Sequence, residues 1–271
     1  MFTGRFEHFV LVTLMLLFAS AANAEPQPFA DANVRNIETF LQEQFQEAEF
    51  GFVVGLVDET GSKVIRAGRL GNGTSQGIDG NTVFEIGSIT KTFTSLLLVD
   101  MVNRGELKFD DPVAKHLPPS VRVPTYDKKR ITLLNLAVQD SGLPFNADNH
   151  AEGTWWEGFN EYTAKDMYAF LSHHRLEVEP GTAFRYSNLG MSLLGHALER
   201  SAGEDFESLV VSRICDPLDM NDTRITLTEN MKSRLAVGHS SSGNRTTAAQ
   251  YGERIATRPR GHRNRLDIGF R

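Results

Sequence analysis

The chain has one cysteine among its 271 residues, Cys215, and that single thiol excludes a disulfide framework, a two-cysteine zinc site and a redox pair. Its simplest role is that of a small buried apolar side chain. Positive charge is also scarce. Lys and Arg total 28 against 34 Asp and Glu, a formal net charge of −6, and no basic stripe precedes Gly243, so the electrostatic footprint of a nucleic-acid-binding protein is missing. The eight histidines fall at no spacing that suits a metal. No metal or organic cofactor is implied, and no internal repeat is visible. The apolar run from Phe9 to Phe18 falls short of the ~20 residues that span a bilayer. Led by Arg5 and followed by Ala22-Asn23-Ala24, it reads as an export signal cleaved after Ala24, which leaves no stable membrane span and places the protein in the periplasm or outside the cell.

What remains is long enough for one large domain or two closely packed lobes. An amphipathic helix opens it, with Val34, Ile37, Phe40, Leu41 and Phe45 on one side. A hairpin follows, Gly51 to Val57 and Lys63 to Gly68, joined by Asp58-Glu59-Thr60-Gly61. The next helix, apolar almost all round from Phe93 to Val102 and ending at Gly105, is expected to be the central buried one. Beyond it the pattern is helical and loop-rich. Thr132 caps a helix that ends at Ser141-Gly142-Leu143-Pro144, and Thr163 caps another running through Leu171. A third spans Leu189 to Arg200, and Asp205 caps a fourth from Phe206 to Ile214. Trp155-Trp156 reads as packing and His173-His174 as a solvated helix end.

The stretch that carries chemistry is Phe84-Glu85-Ile86-Gly87-Ser88-Ile89-Thr90-Lys91. Its lead-in and the helical pattern after it put Ser88 at a helix's first turn and Lys91 one turn on, on the same face. A serine hydroxyl is a weak nucleophile until a neighbour takes its proton, and a lysine in a partly dry pocket can be that neighbour. Unpaired N–H groups at the helix start would favour an oxyanion. Taken alone, the spacing also fits Ser88 as a cap and Lys91 as a solvated helix residue.

Four further blocks occur in order after Ser88-Ile89-Thr90-Lys91. They are Gly105-Glu106-Leu107 with Asp110-Asp111-Pro112-Val113, then Ile131-Thr132-Leu133-Leu134 with Ser141-Gly142-Leu143-Pro144, then Pro180 to Asn188, and then Leu193-Leu194-Gly195. From about residue 30 to about residue 240 the chain resembles the class C β-lactamase family in its broad sense, D,D-peptidases and β-lactamase-like esterases included. The resemblance implies an α/β fold of the α+β type, the serine β-lactamase/D,D-peptidase-like two-lobed fold, with a helical lobe at about 88–220. It implies Ser88 as the acylated nucleophile, Lys91 as the amine that helps deprotonate it, and Tyr186 as a proton shuttle toward leaving group and water. Asn188 would hold the lysine and bind the substrate's acyl-amide group. A phenol works as a base only beside a cation such as Lys91. Outside the resemblance, Tyr186 could be a packing aromatic and Asn188 a helix N-cap.

The resemblance also implies a third motif, Lys-Thr-Gly or His-x-Gly, on a later strand, and none follows Asn188. From Gly243 onward there are seven arginines, no lysine and no periodicity. The domain expectation is therefore a signal peptide over 1–24, a β-lactamase-related domain over 25–242 whose sheet lobe lacks its C-terminal strands, and an Arg-rich tail over 243–271 that is disordered or out of frame. Functionally, the expectation is a monomeric serine hydrolase that cleaves an amide through a Ser88 acyl-enzyme, its substrate a lactam or D-alanyl peptide. The alternatives are a β-lactamase-like carboxylesterase acting on a small ester and a truncated, inactive binding remnant.

Overall fold

The computed structural model describes residues 31–238 apart from 49, 60, 74 and 150–161. The export signal, Trp155-Trp156 and the arginine-rich tail lie outside the described residues. The chain divides into two compact units, one ending at Thr82 and the other beginning at Val83.

In the first unit, helix α1 (Asp31–Phe45) precedes strands β1 (Gly51–Asp58) and β2 (Gly61–Gly68). The strands form the expected antiparallel hairpin, with Gly51 opposite Gly68 and Asp58 opposite Gly61. Alternation along β2 turns Ile65 and Ala67 to one face, where Val34 and Leu41 of α1 cover them. Phe40, expected on that helical stripe, lies one step round the helix from Leu41 and is 58% exposed.

The second unit is mostly helical. A 3₁₀ turn (Gly87–Ile89) leads into α2 (Thr90–Asn103), and a short ribbon of β3 (Thr125–Tyr126) and β4 (Lys129–Arg130) follows. Then come α3 (Leu133–Ala137), α4 (Ala164–His173), α5 (Asn188–Ala202), α6 (Phe206–Val210) and α7 (Glu229–Ser233). After α6 the chain continues through a wider π-helical turn, Val211–Cys215. Cap chemistry sets the helix starts. Thr132 and Thr163 each close a reciprocal capping box, and Asp205 accepts from Ser208 N. At the far end of α5, Gly203 takes the left-handed conformation and donates to Glu199 O.

The central helix is α5, not α2. Every residue from Asn188 to Leu198 is buried, because Gly190, Ser192, Gly195 and Ala197 let neighbouring elements approach between the larger Leu189, Leu193, Leu194 and Leu198. Each such leucine, once fully buried, contributes roughly 1.5–3 kcal/mol. Helix α2 buries only Thr94, Leu97, Leu98 and Met101, a single stripe at helical spacing, and leaves Leu96 and Val99 exposed. Its apolar content exceeds what one packed face can hide. Cys215 is fully buried, and burial raises its thiol pKa. His174 is half-buried and stacks on Phe170 with ring centroids 4.8 Å apart, so only His173 of that pair is a solvated helix end.

A pair of hydrogen bonds joins the two ends of this unit. Val83 N donates to Arg234 O and Ala236 N donates to Val83 O, both at 2.9 Å. The turn bearing Ser88 therefore starts from a residue fastened to the segment after α7.

Candidate active site

Gly87 lies at φ +52, a left-handed conformation open to glycine at little cost. It turns the chain abruptly into the 3₁₀ turn that carries Ser88. No side chain caps that turn or α2, so Ser88 does not serve as a cap. Ser88 is exposed, and its Oγ accepts from Lys91 Nζ at 3.1 Å and from the Tyr186 hydroxyl at 2.6 Å. Lys91 Nζ also lies 4.9 Å from the centre of the Tyr186 ring, close enough for a cation–π attraction. Thus residues 98 apart in sequence meet at one oxygen.

The electrostatics of the phenol follow from these contacts. Partial burial pushes its pKa up, but hydrogen bonding to Lys91 and Ser88, together with the Lys91 charge, outweighs burial and holds the pKa below its ordinary value. Once ionised, the same phenol would accept from Ser88 Oγ instead of donating to it, the direction that proton removal from serine requires.

A loop from the end of α3 sets where Tyr186 sits. Arg185 N donates to Gln139 O at 2.7 Å and Asn188 N to Phe145 O at 2.9 Å. Ser187 N donates to Gln139 Oε1 at 2.6 Å, and Ser187 Oγ donates to Pro144 O at 2.6 Å while accepting from Gly190 N at 2.8 Å. Ser187, not Asn188, is therefore the N-cap of α5. Gly142 makes the loop's bend at φ +77, where a Cβ would come within 2.6 Å of Val178 O. The Phe145 ring lies 5.7 Å from that of Tyr186.

Of the four sequence-derived site residues, Ser88, Lys91 and Tyr186 converge. Asn188 is the first residue of α5 and is 8% exposed, and its amide donates to Asn146 Oδ1 at 3.1 Å. Sequence reasoning overlooked Gln139 and Ser187. Gly73-Thr74-Ser75-Gln76-Gly77 fits the Gly-x-Ser-x-Gly pattern, but among the described residues no helix begins between it and Gly87. It lacks the strand-to-helix turn that a nucleophile elbow needs.

Short antiparallel ribbons, a mostly helical unit and a serine at the mouth of one helix belong to a protein of the serine β-lactamase/D,D-peptidase fold. The β-lactamase/D-alanine carboxypeptidase of Yersinia pestis, solved with citrate, superposes with a TM-score of 0.65 at 30% identity over 79% of this chain and 63% of that one. A class C β-lactamase from Rhodobacter sphaeroides shares the fold with a TM-score of 0.65 at 23% identity, over 89% of this chain and 60% of that one. The family model described as Beta-lactamase matches residues 35–261, and the chain belongs to that family. Among its relatives, the D-alanyl-D-alanine-carboxypeptidase/endopeptidase AmpH of Escherichia coli K12 is 36% identical over 186 residues, 67% of this chain and 46% of that protein. A β-lactamase of Pseudomonas fluorescens is 30% identical over 208 residues, 76% of this chain and 54% of that protein. The chain thus spans about half the length of these two relatives.

Proposed function

We propose that the chain is a serine hydrolase that forms an acyl-enzyme on Ser88 and cleaves amides of the β-lactam or D-alanyl-peptide type. The observation that carries this reading is the meeting of Lys91 Nζ and the Tyr186 hydroxyl at Ser88 Oγ, at 3.1 and 2.6 Å. In the first half-reaction the Tyr186 phenolate, kept accessible by Lys91, takes the Ser88 proton as Oγ bonds to the substrate's carbonyl carbon. The tetrahedral adduct then expels the amine, which receives that proton from Tyr186. In the second half-reaction Tyr186 takes a proton from water, whose oxygen attacks the ester, and Ser88 regains its hydrogen as the acid leaves. Asn188, paired with Asn146, holds the substrate's acyl-amide group beside this cluster.

Export belongs to the same proposal, with the mature chain starting after Ala24, the hydrolase domain ending at residue 242 and the remainder forming a separate tail. No helix among the described residues is long and apolar enough to cross a membrane. The test is to incubate the full chain with a fluorescent penicillin and with a fluorophosphonate, using Ser88→Ala as control. Penicillin labelling that vanishes in Ser88→Ala is expected. Labelling by the fluorophosphonate alone would replace the amide reading with an esterase, and folded protein that neither probe labels would overturn the enzyme reading.

A further inference from the structure

Resting on the acyl-transfer reading above, we propose that Gln139 is a positioning residue for Tyr186: it grips the two residues flanking the phenol and so fixes where the phenol meets Ser88. Two separate groups of Gln139 make the grip. Its backbone carbonyl accepts from Arg185 N at 2.7 Å and its side-chain carbonyl from Ser187 N at 2.6 Å. In extended backbone, the N–H groups of residues i and i+2 point to the same side, and side chains alternate about the strand. Ser187 has such a conformation, at φ −138 and ψ 113. Holding both N–H groups therefore fixes the rotation of this short segment about its own axis, and with it the direction in which the intervening Tyr186 projects. A single hydrogen bond would leave that rotation free.

What the chain gives up to keep a glutamine here supports the same reading. Gln139 sits at φ +66, a conformation unfavourable for a residue with a Cβ. Glycine would relieve it and keep the backbone half of the grip, but would lose the side-chain half. Among the described residues the buried Gln139 Nε2 group has no hydrogen-bond partner, a desolvation cost that an apolar side chain would avoid. Against both costs stands the acceptor presented to Ser187 N. Ser187 is itself 1% exposed, so water does not replace that acceptor readily.

The test compares full-length wild type with Gln139→Met, which keeps length and loses the acceptor, and Gln139→Glu, which keeps an acceptor oxygen. Penicillin labelling rates are measured alongside NMR titration of isotope-labelled tyrosine, with Tyr186→Phe assigning the signal and circular dichroism checking the fold. In Gln139→Met we expect labelling slowed about tenfold or more, as misplacement of a reacting group produces. The Tyr186 titration should move to higher pH as the phenol drifts from Lys91, and Gln139→Glu should label faster than Gln139→Met. Wild-type labelling and an unmoved titration in folded Gln139→Met would overturn the proposal, as would a Gln139→Glu no faster than Gln139→Met. Should Gln139→Met not fold, Gln139→Asn, whose acceptor is withdrawn by one methylene, is read by the same criteria. If wild type takes no label, the acyl-transfer reading fails, and the Tyr186 titrations alone decide whether Gln139 positions the phenol.

Discussion

Replacing Ser187 with alanine should cost more than the loss of an ordinary helix cap, because one oxygen makes two bonds there. Its Oγ accepts from Gly190 N at 2.8 Å, starting α5, and donates to Pro144 O at 2.6 Å, tying α5 to the loop from α3. Loss of the cap costs about 1 kcal/mol. The partly buried Pro144 carbonyl, left without its donor, adds about 1–2 kcal/mol. The sum is about 2–3 kcal/mol, or roughly thirtyfold to a hundredfold in a local opening equilibrium at about 1.4 kcal/mol per decade. Thr163→Ala is the comparison, since Thr163 caps α4 by accepting from Asp166 N and, among the described residues, has no such tie to a distant loop. It should cost about 1 kcal/mol. Native-state hydrogen exchange at the Gly190 amide reads the local effect, and urea unfolding followed by circular dichroism reads the global one. A Ser187→Ala variant that loses no more stability than Thr163→Ala would refute the double role.

Two further predictions concern charge. Because the Tyr186 pKa is lowered, the ionised phenol is present from lower pH, and penicillin labelling should climb with pH through a midpoint below the ordinary phenol value. In Lys91→Met, loss of the hydrogen bond and the positive charge should move that climb to higher pH and slow labelling at neutrality. Coincident pH profiles would count against Lys91 as the cause. Asp111 is a buried carboxylate whose pKa is lowered chiefly by its hydrogen bond with Lys115, which with the Lys108 N–H and the charges of Lys115 and His116 outweighs burial. Its stabilising contribution is therefore present above the unfolded carboxylate pKa and is lost as pH falls through the lower folded value. Lys115→Met should raise the folded pKa, so that acid unfolding followed by circular dichroism begins at higher pH than in wild type.

Local chemistry made much of this fold readable in advance. Thr132, Thr163 and Asp205 announce their helices because a cap depends only on residues two or three positions away, and Ser88 meets Lys91 for the same reason. Apolar content points to α2 as the buried central helix, and the burial of α5 is missed because its small residues conceal how closely neighbours can approach. Ser187 caps α5 although Asn188 beside it has suitable chemistry; cap preference alone does not decide between adjacent polar residues. Helix α7 is too short to show a period, and only Thr228 in front of Met231 hints at it. Within the site, Tyr186 could be brought to Ser88 only by the ordered family motifs, since no spacing rule connects residues so far apart. Gln139 gave no comparable signal. Its hydrogen bonds run between two loops that lack periodicity, and a polar residue next to Ser-Gly-Leu-Pro reads simply as the end of a helix.

The bonds between Val83 and the Arg234–Ala236 segment mean that the turn bearing Ser88 cannot be fastened until residue 236 has been made. During synthesis, at about 5–20 residues per second, the turn before Ser88 leaves the ribosome on the order of ten seconds before its anchoring partner exists. Phe84, Ile86 and Ile89 around that turn stay exposed even in the finished fold, so over this interval the turn is both unanchored and apolar at its surface. A chaperone that shields them over that interval would act at the moment when this protein is most open to misassembly.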